Sequence, residues 1–134
     1  MKRIFYIYLG VYCISLLVGC SFLRKNFCVK AYMNNHKFIY MAADGTLSSK
    51  YFIIKDTLQF EYSGNDLYSE SVISWKTCNE YSLIIKRIYY DEKGLQPGDT
   101  LSVKIQSVKK DTIRCMASAY NHSFPIKFIK SNIE

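Results

Sequence analysis

The sequence predicts an all-β protein: an antiparallel up-and-down meander of about eight strands, closed or barrel-like, preceded by an N-terminal signal helix. Three observations predict this fold. Apolar and polar residues alternate with a period of two along most of the 134-residue chain, as in strands that bury one face. Turn sequences rich in Gly, Asn, Asp and Pro separate these runs at intervals of one strand, and no convincing helical period follows residue 28.

The first 19 residues have the composition of an export signal. Lys2 and Arg3 form a short basic start, and an apolar run extends from Ile4 to Val18. That run has about 15 residues, fewer than the roughly 20 that a membrane-spanning helix needs. We therefore expect residues 1–19 to be a signal peptide.

The signal ends in Leu17-Val18-Gly19-Cys20, which resembles the lipobox of bacterial lipoproteins. This resemblance implies transfer of diacylglycerol to the sulfur of Cys20 and cleavage before it, leaving a protein whose partner is the membrane. Cys13 does not compete, because an aromatic residue precedes it. An uncleaved signal anchor and a plain secretory signal are the alternatives.

Residues 20–27 are predicted to be the lipidated cysteine and a short tether, and residues 28–134 a single β-barrel-like domain. The tether contains two cations and no acid. Because surface-displayed lipoproteins of the Bacteroidota type often have an acidic stretch there, we expect the periplasmic face of the outer membrane rather than the cell surface.

The charges of the processed chain are scattered through predicted strands and loops. Loss of Lys2 and Arg3 leaves 16 of the 18 basic residues against 11 acidic ones, a net charge of +5. Such a surface is typical of an ordinary solvated domain, and a weak preference for anionic headgroups is the alternative. Lysines interleaved with 12 tyrosines and 8 phenylalanines also occur in single-stranded nucleic-acid binders. The export signal argues against nucleic acid as a partner.

Three cysteines remain after processing and lipidation: Cys28, Cys78 and Cys115. They allow one disulfide with three alternative pairings. Cys115 lies in a period-two run that would bury it, so the pairing Cys28–Cys78 is favoured.

Period-two runs and turn signals divide the domain into strand candidates. One run, Leu58, Phe60 and Tyr62 alternating with polar residues, has the pattern of a half-buried strand. Residues 89–94 are left open between a helical turn and a loop. The candidates lie at residues 29–33, 36–42, 49–55, 57–63, 68–76, 80–90, 100–109, 112–120 and 123–130.

The same runs predict what fills the interior. Phe38, Phe60, Leu101, Ile105 and Phe128 are expected to fill it, and Ile84 suggests a strand buried on both faces. The small residues Cys115, Ala117 and Ala119 would instead leave room for a ligand on one inner face. Trp75, three residues before Cys78, is expected to pack in the core beside the disulfide, and the alternative is that it lines the mouth of that cavity. These four are the candidate ligand-cavity residues.

No catalytic or cofactor signature is found in the sequence. The chain has two histidines and lacks the motifs of serine hydrolases, zinc peptidases, P-loops and dinucleotide-binding folds. The sequence therefore predicts no enzyme, no cofactor and no metal site.

The stretches Ile73-Ser74-Trp75, Cys78-Asn79-Glu80-Tyr81-Ser82-Leu83 and Gly98–Ile105 carry a family resemblance. Together with an early cysteine, they resemble a group of small Bacteroidota lipoproteins over about residues 28–130. The resemblance implies the same fold and supports the Cys28–Cys78 pairing, and it implies no activity.

Two functional hypotheses follow. The first is a non-enzymatic, membrane-anchored envelope lipoprotein that acts as a structural or interaction module with an envelope protein partner. The second is a lipocalin-like carrier of a small apolar ligand. An empty internal cavity favours the carrier, and a filled core with an exposed apolar patch favours the module.

Overall fold

Eight antiparallel strands and one short helix form the domain in the computed structural model, which describes residues 28–90 and 94–132. The all-β prediction is confirmed. The predicted signal helix, Cys20 and the tether lie outside the described residues. The elements are α1 (Val29–Met33), β1 (Lys37–Met41), β2 (Leu47–Lys55), β3 (Leu58–Ser63), β4 (Asp66–Thr77), β5 (Glu80–Ile88), β6 (Thr100–Lys109), β7 (Thr112–Ala119) and β8 (His122–Ser131).

The strands follow one another around a closed barrel. Each strand pairs with the next, and β1 pairs with β8, with Phe38 opposite Lys130 and Tyr40 opposite Phe128. Tight turns make this meander: Tyr120 and Asn121 both have positive φ, the geometry that two-residue hairpins require. Closure pairs the first strand with the last and thereby shields their edges.

The barrel has two different ends, which we name for what lies at them. The plugged end carries α1 and the turns at residues 56–57, 78–79 and 110–111. The open end carries the turns at residues 42–46, 64–65 and 120–121 and the connection between β5 and β6, of which residues 91–93 are not described. The prediction of a helical turn at 89–94 falls partly on those residues and stays untested.

Residues 29–33 are helical, so their prediction as a strand was wrong. Val29 and Met33, four residues apart, lie on one face of the helix and are 3% and 0% exposed. A run of five residues fits either period, and here the tertiary contacts of those two side chains select the helix.

The core is dominated by aromatic rings from β1, β2 and β8. The centroids of Phe38 and Phe52 lie 5.2 Å apart, and Phe128 meets both rings edge-on. Cys115 and Ala117 are also buried in this cluster. Small side chains on β7 therefore accommodate large rings from other strands.

The face of strand β3 that points into the barrel is the one that the sequence predicts to face solvent. Gln59 is 1% exposed and points inward, while Leu58, Phe60 and Tyr62 are half-buried on the outer wall. Phe60 is therefore not part of the core. Ile84, expected to be buried, is 42% exposed. Alternation defines two faces of a strand, but it does not determine which face turns inward when both carry large groups.

Candidate functional site

The plugged end is held shut by α1. Cys28 and Cys78 form the predicted disulfide, and the backbone N–H of Lys30 donates to the carbonyl of Cys78 at 3.2 Å. The phenol of Tyr32 donates to Oδ1 of Asp111 at 3.0 Å. Burial and this hydrogen bond raise the pKa of Tyr32 to about 12. The helix is thus tied to two of the turns at this end.

The open end contains a cavity of about 260 Å³. It arises because β1 stops at Met41 while β8 continues toward the open end. Met41 faces Leu47 rather than Ser49, so the β1–β2 hairpin bulges, and no described residue of β1 pairs with residues 122–127. The cavity is bordered by this gap, between Lys50 on β2 and the segment from Phe124 to Lys127 on β8.

One wall of the cavity is polar and comes from β1, β3 and β4. Ser69 lies opposite Glu61 in the β3–β4 pair, and both line the cavity with Ser71. The phenol of Tyr40 donates to Oε1 of Glu61 at 3.0 Å, and Nε2 of Gln59 donates to the same oxygen at 3.1 Å. Within the described chain, no hydrogen bond reaches Oε2 of Glu61.

The facing wall is apolar and comes from β5, β6 and β8. Its side chains are Leu83, Ile85, Leu101, Phe124 and Ile126. Leu83 and Ile85 are buried, whereas Phe124 at the rim is 43% exposed. The cavity therefore presents a polar wall and an apolar wall to whatever enters it.

The titration behaviour of the interior follows from its burial. Burial raises the pKa of Tyr40 well above its ordinary value, and the nearby carboxylate of Glu61 raises it further. Burial also raises the pKa of Tyr81, with smaller contributions from Cys115 and Glu61. Both phenols are therefore neutral at physiological pH. Oε1 of Gln59, whose Nε2 donates to Glu61, is buried without a hydrogen-bond partner.

A third phenol–carboxylate pair lies at the rim of the open end. A hydrogen bond from Tyr120 lowers the pKa of Asp99 and raises that of Tyr120. The carboxylate of Asp99 also accepts the backbone N–H of Gln96 at 2.7 Å. These bonds join the β7–β8 turn to the connection that precedes β6, next to Leu95 of the cavity lining.

The four residues proposed from sequence as cavity-lining lie elsewhere. Cys115 and Ala117 are 1% and 0% exposed within the packed core, and Ala119 is half-buried near the end of β7. Trp75 packs against Tyr81 near the plugged end, with ring centroids 4.7 Å apart. It lines a separate groove of about 620 Å³ between α1 and the β2–β3 turn. None of the four lines the cavity at the open end, so this assignment needs correction.

The residues that do form the polar wall were missed by sequence reasoning. Glu61 of that wall and its hydrogen-bond partner Gln59 were assigned to the solvent face of β3, because polar residues usually face water in such a pattern. The signal that could have found them lies on the other face of β3. Leu58, Phe60 and Tyr62 are as bulky as the residues on the outer walls of neighbouring strands, so they fit an outward-facing position as well.

The outer wall carries a band of apolar side chains, which we call the outer apolar band. Register places Ile129, Ile39, Tyr51 and Tyr62 side by side across four strands, and Ile53 opposite Phe60 in the next row. The rings of Tyr51 and Tyr62 stack with centroids 4.9 Å apart. All six side chains are half-buried.

The described residues hold no group of three or more His, Cys, Asp and Glu side chains placed to bind a metal ion. None of the helices in that part of the chain is long and apolar enough to span a membrane. Comparison with models of protein families, with curated proteins and with solved structures finds no match.

Proposed function

We propose that the chain is a non-enzymatic, lipid-anchored protein of the bacterial envelope whose barrel binds a small amphipathic molecule at its open end. The observation that carries the binding role is the cavity of about 260 Å³ between a polar and an apolar wall, in a barrel whose other end is shut by α1. The lipobox-like sequence ending in Cys20 supports the anchor.

The walls favour a compact ligand with one polar end. The cavity has a volume of about 260 Å³. It is slightly smaller than the roughly 300–1,000 Å³ typical of sites for drug-sized ligands. The ligand's hydroxyl or amine would donate to Oε2 of Glu61, and its apolar part would contact Leu83 and Ile85.

Binding of a fluorescent probe tests this role. The probe is phenylnaphthylamine, a small aromatic amine, added to the full chain in mild detergent. Ser71→Leu places an apolar side chain inside the cavity, and Ser74→Leu places the same side chain on the exposed outer face of the same strand. We expect saturable binding that Ser71→Leu abolishes and Ser74→Leu leaves unchanged.

The role of the carboxylate is tested separately. Glu61→Gln keeps the shape of the side chain and removes its charge. We expect it to weaken binding of the probe about tenfold, because a hydrogen bond to a charged acceptor is worth roughly 1–1.5 kcal/mol more than one to a neutral acceptor. Glu80→Gln at the plugged end is the control. Equal binding by the wild type and Ser71→Leu contradicts the proposed site. Native mass spectrometry of protein from its own membrane would then identify a co-purified ligand, if it carries one.

The outer apolar band favours a second candidate, an interaction module that contacts an envelope protein. Contiguous apolar surface on a monomer is typical of interaction sites. The test is cross-linking in native membranes. Phe60→Ser with Tyr62→Ser should remove any protein adduct, and Ile84→Ser, an exposed apolar residue outside the band, should keep it.

A further inference from the structure

Charged residues are distributed unequally between the two ends of the barrel. Each end comprises its terminal connections and the two residues of each strand nearest them. Among the described residues, the plugged end carries seven lysines and three carboxylates, and the open end one arginine and three carboxylates. The plugged-end lysines are Lys30, Lys37, Lys55, Lys76, Lys109, Lys110 and Lys130.

The three carboxylates at the plugged end, Asp56, Glu80 and Asp111, offset only three of the seven lysine charges. Asp111 accepts the phenol of Tyr32, and Glu80 lies 4.0 Å from Nζ of Lys76 at an exposed position, where an ion pair contributes little. Lys55, Lys109 and Lys110 are all exposed. A positive face therefore remains around the three turns of this end.

The chain also enters the domain at this face. Cys28 precedes α1, and the segment before it carries Arg24 and Lys25. The position of Cys28 is fixed by its disulfide to Cys78 in the β4–β5 turn. Any attachment of the N-terminal segment to a membrane would thus bring the lysine-rich end of the barrel closest to the lipid.

We propose that the plugged end is a docking surface for an anionic lipid bilayer. Lysine ammonium groups lie against lipid phosphates, and the open end with its cavity points away from the membrane. This orientation is independent of whether the cavity binds a ligand. It draws on the proposed anchor only for keeping the protein near the bilayer.

Trp75 offers a direct measurement of this docking. It is the one tryptophan in the chain and lies near the plugged end. The full chain is reconstituted into vesicles that contain dansyl-labelled headgroups, either in phosphatidylcholine alone or with phosphatidylglycerol added. We expect stronger energy transfer from Trp75 in the anionic vesicles, and we expect added salt to abolish the difference, because salt screens exposed charges.

Matched variants locate the contact. Lys55→Gln, Lys109→Gln and Lys110→Gln together should lower the ratio of docked to undocked protein by roughly a hundredfold, at about one kcal/mol per lysine. Lys86→Gln, Arg87→Gln and Lys104→Gln together remove the same charge from exposed positions on the barrel wall and toward the open end. We expect this control to dock as the wild type does.

Each outcome decides the proposal. Equal energy transfer from Trp75 in the two kinds of vesicle overturns the proposal. An equal loss of docking in both triple variants also overturns it, because that result would indicate a diffuse effect of net charge. Binding of heparin with no response to phosphatidylglycerol would assign the face to a polyanionic polymer instead. If the first triple variant fails to fold, the salt dependence of the wild type still decides. The chain mass reports the anchor separately.

Discussion

The phenol of Tyr40 donates a hydrogen bond across 3.0 Å to Oε1 of Glu61 inside the barrel. This pair lies at the boundary between the packed aromatic core and the cavity at the open end. Tyr40 lines the cavity and also packs against the rings of Phe52 and Phe128. It positions a carboxylate that sequence alone places in solvent. The binding proposal therefore depends on a contact between β1 and β3.

Tyr40→Phe should lower the free energy of unfolding by about 1.5–3 kcal/mol, because it removes a buried hydrogen bond to a charged group. Tyr89→Phe is the control, since its phenol donates to Glu70 at an exposed position. We expect the control to change stability by less than about 0.5 kcal/mol. Urea unfolding measures both variants, and similar losses would contradict a special role for the interior pair.

Cys28→Ser should lower the free energy of unfolding by about 4 kcal/mol in the chain-entropy model, because the disulfide spans 50 residues. It should also expose Cys78 to thiol reagents. The double variant, Cys28→Ser with Cys78→Ser, should lower the free energy of unfolding by no more than the single variant does, because both remove the same disulfide. Thermal unfolding under non-reducing conditions measures this loss, and additive losses would show that the thiols act separately.

Ionisation of Cys115 should lower the free energy of unfolding at alkaline pH. Burial raises its pKa from 9.0 to about 12, so the folded state holds this proton more tightly than the unfolded state does. The stabilisation is fully present below pH 9 and is lost as the pH rises from 9 toward 12. The loss approaches about 1.4 kcal/mol per pH unit within that window.

Cys115→Ala tests this assignment through the slope of stability against pH. Urea unfolding between pH 9 and 10 should show a shallower fall for the variant than for the wild type. That range lies below the ordinary value of 10.0 for the buried tyrosines. Identical slopes would mean that the thiol ionises as readily in the folded protein as in the unfolded chain.

Cys20→Ala should move the protein from the membrane fraction to a soluble or unprocessed form, because the proposed acyl chains attach to its sulfur. Cys13→Ala should leave fractionation and mass unchanged. Membrane fractionation with mass spectrometry of the chain measures both. Mature, membrane-bound protein from the Cys20→Ala variant would rule out lipidation at this residue.

Predictions from local sequence pattern succeeded where the pattern is compatible with only one backbone conformation or one pairing. The turn sequences around Gly45, Gly64 and Gly98 each place a glycine at positive φ, where other side chains are strained. The strands between such turns came out within a few residues of their predicted bounds, apart from 29–33. The Cys28–Cys78 pairing was also confirmed, because Cys115 does lie on a buried strand face.

Predictions about the cavity failed because they required knowledge of what faces each strand. The small side chains of β7 suggested empty space, yet aromatic rings of the same core cluster occupy it. The actual cavity arises where β1 stops and the β1–β2 pairing shifts. A shift in register leaves no signature in the composition of either strand.

The sequence by itself determined that this chain forms antiparallel strands, where most of them turn, and which cysteines pair, because these properties depend on local periodicity and on residues with special backbone geometry. Only the tertiary structure decided that Glu61 faces inward beside Tyr40, that α1 plugs one end, and that dispersed lysines converge around that plug. Those features depend on closure of the barrel, which brings together residues that are distant in the chain.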